Sequence, residues 1–103
     1  MIKITKSILK KVYKKRKPNV HKYDFGHLLV IGGSKMYSGS PVLAAISAYK
    51  TGVDLVTVAS PKRVADIIAT FSPDLIAYPL DGDYITTKNL PELLELSQNK
   101  TAV

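Results

Sequence analysis

Cysteine and tryptophan are both missing from this 103-residue chain, and phenylalanine occurs only twice. Without cysteine there is no disulfide framework and no thiolate metal site, which agrees with a cytoplasmic chain and leaves no metal-ligating cluster to assign. No apolar run is long enough to span a bilayer, and the N-terminus lacks the long apolar centre of a signal peptide, so the reading is a soluble protein with no membrane partner. Acidic residues are missing from the first 22 positions, which hold nine of the fifteen Lys and Arg; the remainder holds six basic and all eight acidic residues. The net charge of +7 therefore belongs to a leader and not to a domain. What is present is 46% hydrophobic residues, enough to bury one small core and too many for a disordered chain.

In the leader, residues 1–20, Ile4, Ile8, Leu9 and Val12 recur at helical spacing behind Thr5, and Pro18 forbids continuation. The spacing predicts an amphipathic helix over 6–16 whose other face is almost all lysine. Such a helix binds nucleic acid or an anionic surface in some proteins. Here the apolar face is narrow and no aromatic ladder or nucleic-acid module follows, so the sequence favours a solvated lysine face.

The rest, residues 21–103, is organised around 27–52, HLLVIGGSKMYSGSPVLAAISAYKTG. His27 to Ile31 has the apolar, partly β-branched character of a strand covered on both faces, and Gly32-Gly33 ends it where backbone must turn sharply or approach something closely. Ser40 is a suitable N-cap and Pro41 a suitable first helical residue, predicting a nearly all-apolar helix over 41–51 stopped by Gly52. A glycine loop followed by a helix start, at the carboxyl end of a strand, is where open α/β sheets bind ligands. The stretch is neither a dinucleotide G-x-G-x-x-G fingerprint nor a P-loop, so spacing alone names no ligand, and a turn whose glycines serve only packing fits it equally well.

Val53 to Ala59 predicts a second core strand, Ser60 a cap and Pro61 the start of a helix over 61–70, and Leu75 to Leu80 a third strand. Strand, helix and strand in this order imply right-handed crossovers and parallel pairing. Lys62 and Arg63, in the first turn of their helix, are candidates to hold a phosphate, with a solvated turn as the plainer reading. Asp81-Gly82-Asp83 lacks the further ligands a calcium loop needs and reads as a turn. His21 and His27 are lone histidines, better explained by local hydrogen bonding than by catalysis. A last helix starting near Thr86, Thr87 or Asn89 carries Leu90, Leu93, Leu94 and Leu96, and Thr101-Ala102-Val103 opens another strand.

With its flanks the central stretch, HKYDFGHLLVIGGSKMYSGSPVLAAISAYKTGVDLVTVASP, resembles the opening of the ADP- or ATP-dependent NAD(P)H-hydrate dehydratases, over about residues 21–80. Asp24-Phe25-Gly26, Gly32-Gly33-Ser34, Gly39, Pro41, Ala44-Ala45 and Gly52 carry the resemblance together. Tyr23 stands where that family commonly has glycine, Ser40 where it has alanine, and Val53-Asp54 where it often has alanine-glycine. The resemblance implies a partial ribokinase-like fold, a Rossmann-like three-layer α/β arrangement with a mostly parallel sheet flanked by helices. It implies hydrated NADH or NADPH as substrate, repaired by a lyase with ADP or ATP and Mg2+. By motif match it assigns Gly33, Ser34, Gly39, Ser40 and Pro41 to the substrate wall. The family's glycine-rich anion hole and catalytic aspartate have no counterpart here, so the chain is expected to be an N-terminal fragment, inactive alone, with no catalytic residue of its own. It is expected to associate with copies of itself or with a complementing C-terminal chain. A ribokinase-like small-molecule kinase is the enzyme alternative, and a basic nucleic-acid or anionic-surface binder the non-enzyme one.

Overall fold

The computed structural model describes all of residues 1–103. Three strands, β1 (His27–Ile31), β2 (Leu55–Pro61) and β3 (Ile76–Leu80), form one sheet in the order β1-β2-β3, and both pairings are parallel. His27 lies opposite Leu55, and Thr57 opposite Ile76. Four helices accompany them: α1 (Lys6–Val12), α2 (Gly39–Thr51), α3 (Lys62–Ile68) and α4 (Leu90–Ser97), the last entered through a 3-10 turn at Thr87–Asn89.

Alternation along the strands builds a core on each side of the sheet. One combines Val56 and Val58 with Val42 and Ala45 of α2, Val64 and Ile68 of α3, and Leu75. The other joins Leu29, Ala59 and Leu80 to Leu93 of α4. Helices α2 and α3 thus share one face while α4 covers the opposite one, which is the three-layer α/β arrangement. After α4 the chain returns along the free side of β1: Leu29 N–H donates to Ala102 C=O at 2.9 Å and Thr101 N–H to His27 C=O at 2.9 Å, and Leu28 pairs with Ala102 in parallel. Across the sheet the order is residues 101–102, β1, β2, β3, and the expected strand opening at Thr101 is present as this single bridge.

Element boundaries differ from the spacing-based ones for identifiable reasons. Helix α2 begins at Gly39, so Ser40 is not its cap and Pro41 is not its first residue; Ser38 precedes it without a side-chain cap bond. Proline is tolerated throughout a first turn whose N–H groups have no intrahelical acceptor, so Pro41 does not mark the start. At the other end Gly52, with φ +103°, donates to Tyr49 C=O and Val53 N–H donates to Ala48 C=O. This Schellman closure uses Val53, and β2 starts two residues later than expected.

At its far end β2 outlasts β1, whose pairing stops at Ala59. Ser60 and Pro61 therefore pair only with β3, where Pro61 needs no N–H toward β1, and the helix expected over 61–70 is confined to Lys62–Ile68. In the leader the helix ends at Val12, because Tyr13 is extended and the lysine-arginine run after it is self-repelling.

Thr57, buried in β2, is matched by His27: the imidazole Nε2 lies 2.8 Å from the threonine Oγ1. Burial, and secondarily the Lys100 ammonium, push the His27 imidazole below its ordinary value of 6.5. The unfolded chain therefore takes up the proton first, so this contribution to stability is complete above that value and is lost as pH falls through it. Thermal melts between about pH 7 and pH 5 are expected to show a falling midpoint in the native chain and a flatter profile in His27→Gln. An identical slope in both would remove His27 as the cause.

Candidate functional site

The ladder between β1 and β2 runs one step past β1, as Gly32 N–H donates to Ala59 C=O at 3.1 Å. Gly33 then takes φ +90°, and a Cβ there would stand 2.9 Å from Val64 Cγ1 and 3.5 Å from Ser60 Oγ. The conformation and the lack of room both demand glycine. Ser34 and Tyr37 exchange two backbone hydrogen bonds of 3.0 Å, closing a tight turn with Lys35 and Met36 at its tip. Ser38 leads into α2, whose first residue, Gly39, has nothing within 4 Å of the place a methyl group would occupy.

The five residues assigned to the substrate wall therefore have different surroundings. Gly39 and Ser40 are exposed and Ser34 is half-buried, together forming the open side of the corner. Gly33 is the hinge on which the loop turns. Pro41 is buried, its Cβ lying 3.8 Å from the position a Gly32 methyl would take, so it packs the turn from beneath.

Beyond the motif, the structure ties the loop tip to two elements distant in sequence. Lys35 N–H donates to Asp83 C=O at 2.8 Å, its ammonium donates to the Asp83 carboxylate at 2.9 Å, and Arg63 Nη1 donates to Lys35 C=O at 2.8 Å. The hydrogen bond to Asp83, followed by the Coulombic attraction of that carboxylate, raises the Lys35 pKa above its ordinary value. Arg63, weighed as a phosphate holder, binds the loop backbone instead, while Lys62 lies 3.8 Å from Asp66 in the next turn of α3. The Asp81-Gly82-Asp83 turn, with φ +99° at Gly82, forms one wall of an open groove facing Lys62, Arg63 and Asp66. Spacing has no means of finding the Lys35–Asp83 tie, because 48 residues separate its partners. Ser60, read from spacing as a helix cap, caps nothing: its buried hydroxyl has no protein partner and lies 3.5 Å from the place a Gly33 Cβ would take.

The corner's position in the sheet follows from the topology. From β1 the chain moves outward through β2 and β3 and then returns to the other side of β1 at Ala102, so the direction of winding reverses at β1. Gly32 and Gly33 stand at the carboxyl end of that strand. In open α/β sheets the crevice at such a reversal is the usual ligand site.

Fold and corner together define an α/β protein of the doubly wound kind, with a parallel sheet flanked by helices. The family model described as NAD(P)H-hydrate dehydratase matches residues 28–101, and the chain belongs to that family. It is 46% identical over 88 residues to the bifunctional NAD(P)H-hydrate repair enzyme Nnr of Methanothermobacter thermautotrophicus, covering 85% of this chain and 17% of that protein. Identity is 43% over 81 residues with the ATP-dependent (S)-NAD(P)H-hydrate dehydratase of Pediculus humanus, covering 78% and 27%. With the ADP-dependent enzyme of Nitrosopumilus maritimus it is 36% over 91 residues, covering 88% and 32%. Among solved structures, a hypothetical protein from Streptococcus mutans superposes with a TM-score of 0.69 at 30% identity, over 92% of this chain and 33% of that one. The chain thus spans roughly a sixth to a third of the length of these relatives.

Proposed function

We propose that the chain is the N-terminal part of an ADP- or ATP-dependent NAD(P)H-hydrate dehydratase, supplying one wall of the site for hydrated NADH or NADPH. The observation that carries this reading is the open glycine corner at the sheet's winding reversal, in a chain of this family. Gly39 leaves the approach to α2 clear, Ser34 and Ser40 bring hydroxyls to that side, and Gly33 lets the loop turn over Val64. The unpaired N–H groups of the first turn of α2 favour negatively charged or carbonyl oxygen atoms of a bound ligand.

Phosphorylation of the ring hydroxyl by the nucleotide makes a leaving group, and elimination restores the nicotinamide. Relatives are named as ATP- or ADP-dependent, and the reading extends that dependence, with Mg2+, to the complete enzyme containing this chain. Asp83, the acid bonded to the loop tip, is engaged by Lys35, and no group of three or more His, Asp or Glu side chains gathers where it could hold the metal. Nucleotide, metal and the groups that move protons are accordingly assigned to a complementing segment or chain, or to an assembly of copies.

The test places these 103 residues in the corresponding segment of the Nitrosopumilus maritimus relative. The chimera is expected to consume hydrated NADPH only when ADP or ATP and magnesium are supplied. Gly39→Val should raise its KM about tenfold or more by obstructing ligand approach, with thermal stability unchanged because the side chain enters open space. Normal activity in that variant would remove Gly39 from the site. A chimera that phosphorylates a small alcohol substrate and ignores the hydrate would transfer the assignment to a ribokinase-like kinase.

A further inference from the structure

Helix α1 turns Ile8, Leu9 and Val12 to one side and Lys6, Lys10 and Lys11 to the other, yet none of its residues is buried. Leu9 is 49% and Val12 66% exposed, and Met1, Ile2, Ile4 and Tyr13 are more than half exposed beside them. Ile8 is half-buried, and Val12 and Tyr13 border a cavity with Phe25, Thr51 and Val53 of the body, so the leader meets the domain along one edge while most of its apolar side stays open to solvent.

The leader is nevertheless held where it meets the body. Arg16 Nη1 bonds Asp54 Oδ1 at 2.6 Å, its Nη2 donates to Gly52 C=O at 2.9 Å, and its guanidinium lies 4.1 Å from the centre of the Phe25 ring. Gly52 and Asp54 precede β2, so this clamp sits at the amino end of the sheet, and the glycine corner opens at the other end. A surface bound by the leader would leave the corner free.

We infer that the leader is a docking segment for an anionic lipid surface, with lysines on the headgroups and the Ile, Leu and Val side chains inserted between them. Charge and apolar exposure select this occupant. A second copy of the chain is a poor match for the leader, because outside residues 1–22 it carries eight acidic against six basic residues and hence no strong negative field. A nucleic-acid backbone would satisfy the lysines and leave the apolar row in water, whereas a bilayer interface satisfies both.

The experiment is sedimentation of the whole chain with vesicles of phosphatidylcholine alone and of phosphatidylcholine mixed with phosphatidylglycerol, at low and physiological salt. Binding is expected only to the mixed vesicles, weakening as salt rises. Lys10→Gln with Lys11→Gln should lower the partition coefficient about 30-fold. Leu9→Ser with Val12→Ser leaves the charge unchanged and should weaken binding by at least as much. Both pairs are on the surface, and unchanged thermal melts will show that the body remains folded. No binding to the mixed vesicles, or equal binding by the Leu9→Ser, Val12→Ser variant, would overturn the inference. Duplex DNA binding that is tighter than vesicle binding and indifferent to that pair would likewise overturn it and identify the leader as a phosphate-backbone binder.

Discussion

Gly33→Ala is expected to lower unfolding free energy by about 2–4 kcal/mol, from positive-φ strain together with overpacking. Both causes are visible: φ is +90°, and the new methyl would meet Val64 Cγ1 at 2.9 Å, where Val64 is itself fully buried and has little room to move. Out of the roughly 5–15 kcal/mol typical of a domain, such a loss is a large fraction. Urea unfolding measures it directly, with Gly39→Ala as the control. Gly39 is already in a helix with open space around it, so alanine there should be neutral or stabilising by up to about 1 kcal/mol. Adding Val64→Ala to Gly33→Ala should make the pair less damaging than the sum of its parts, since it relieves the collision and not the backbone strain. A Gly33→Ala midpoint matching the native chain would show that the corner rearranges freely and that Gly33 is not a rigid hinge of the site.

Ile68→Ala is expected to cost about 2–5 kcal/mol, the range for truncating a fully buried aliphatic side chain. Ile68 closes the larger core, where α2 and α3 meet the sheet beside Val42, Ala45, Val56, Val58 and Leu75. Its side chain is completely buried, whereas Leu94 on α4 is 58% exposed. Leu94→Ala should therefore change stability by about 0.5 kcal/mol or less. If the two variants unfold at the same denaturant midpoint, the α2–α3 layer is not the principal core. The loss would reach the glycine corner as well, because α3 also supplies Val64 beneath Gly33 and Arg63 to the loop tip.

The legible features are those encoded within a few consecutive residues. The apolar run 27–31, the glycines after it, the amphipathic and apolar helices and the β-branched second strand are visible because period and punctuation are local properties. Parallel pairing follows from element order. Boundaries are less legible: Pro41 and Pro61 both look like helix openers, but one lies within a first turn and the other in a strand end that lacks a neighbour on one side. Whether a serine-proline pair caps a helix or finishes a strand depends on where the adjacent strand stops. That is not written in the pair itself.

By itself, then, the sequence determined an α/β chain with a strand, a glycine corner and a helix at its centre, and through its motif a resemblance to the hydrate dehydratases. Only the tertiary structure decided which glycine is sterically required and which has open space around it, since that distinction depends on Val64, 31 positions after Gly33. It also decided that the corner lies where the sheet reverses its winding, because the reversal is made by residues 101–102 returning to β1. It tied the loop tip to Asp83 and Arg63, and it left most of the apolar row of the leader, all but Ile8, exposed. Each of these results comes from contacts between residues far apart in the chain, where local propensity carries no information and the packing of the core selects the neighbours.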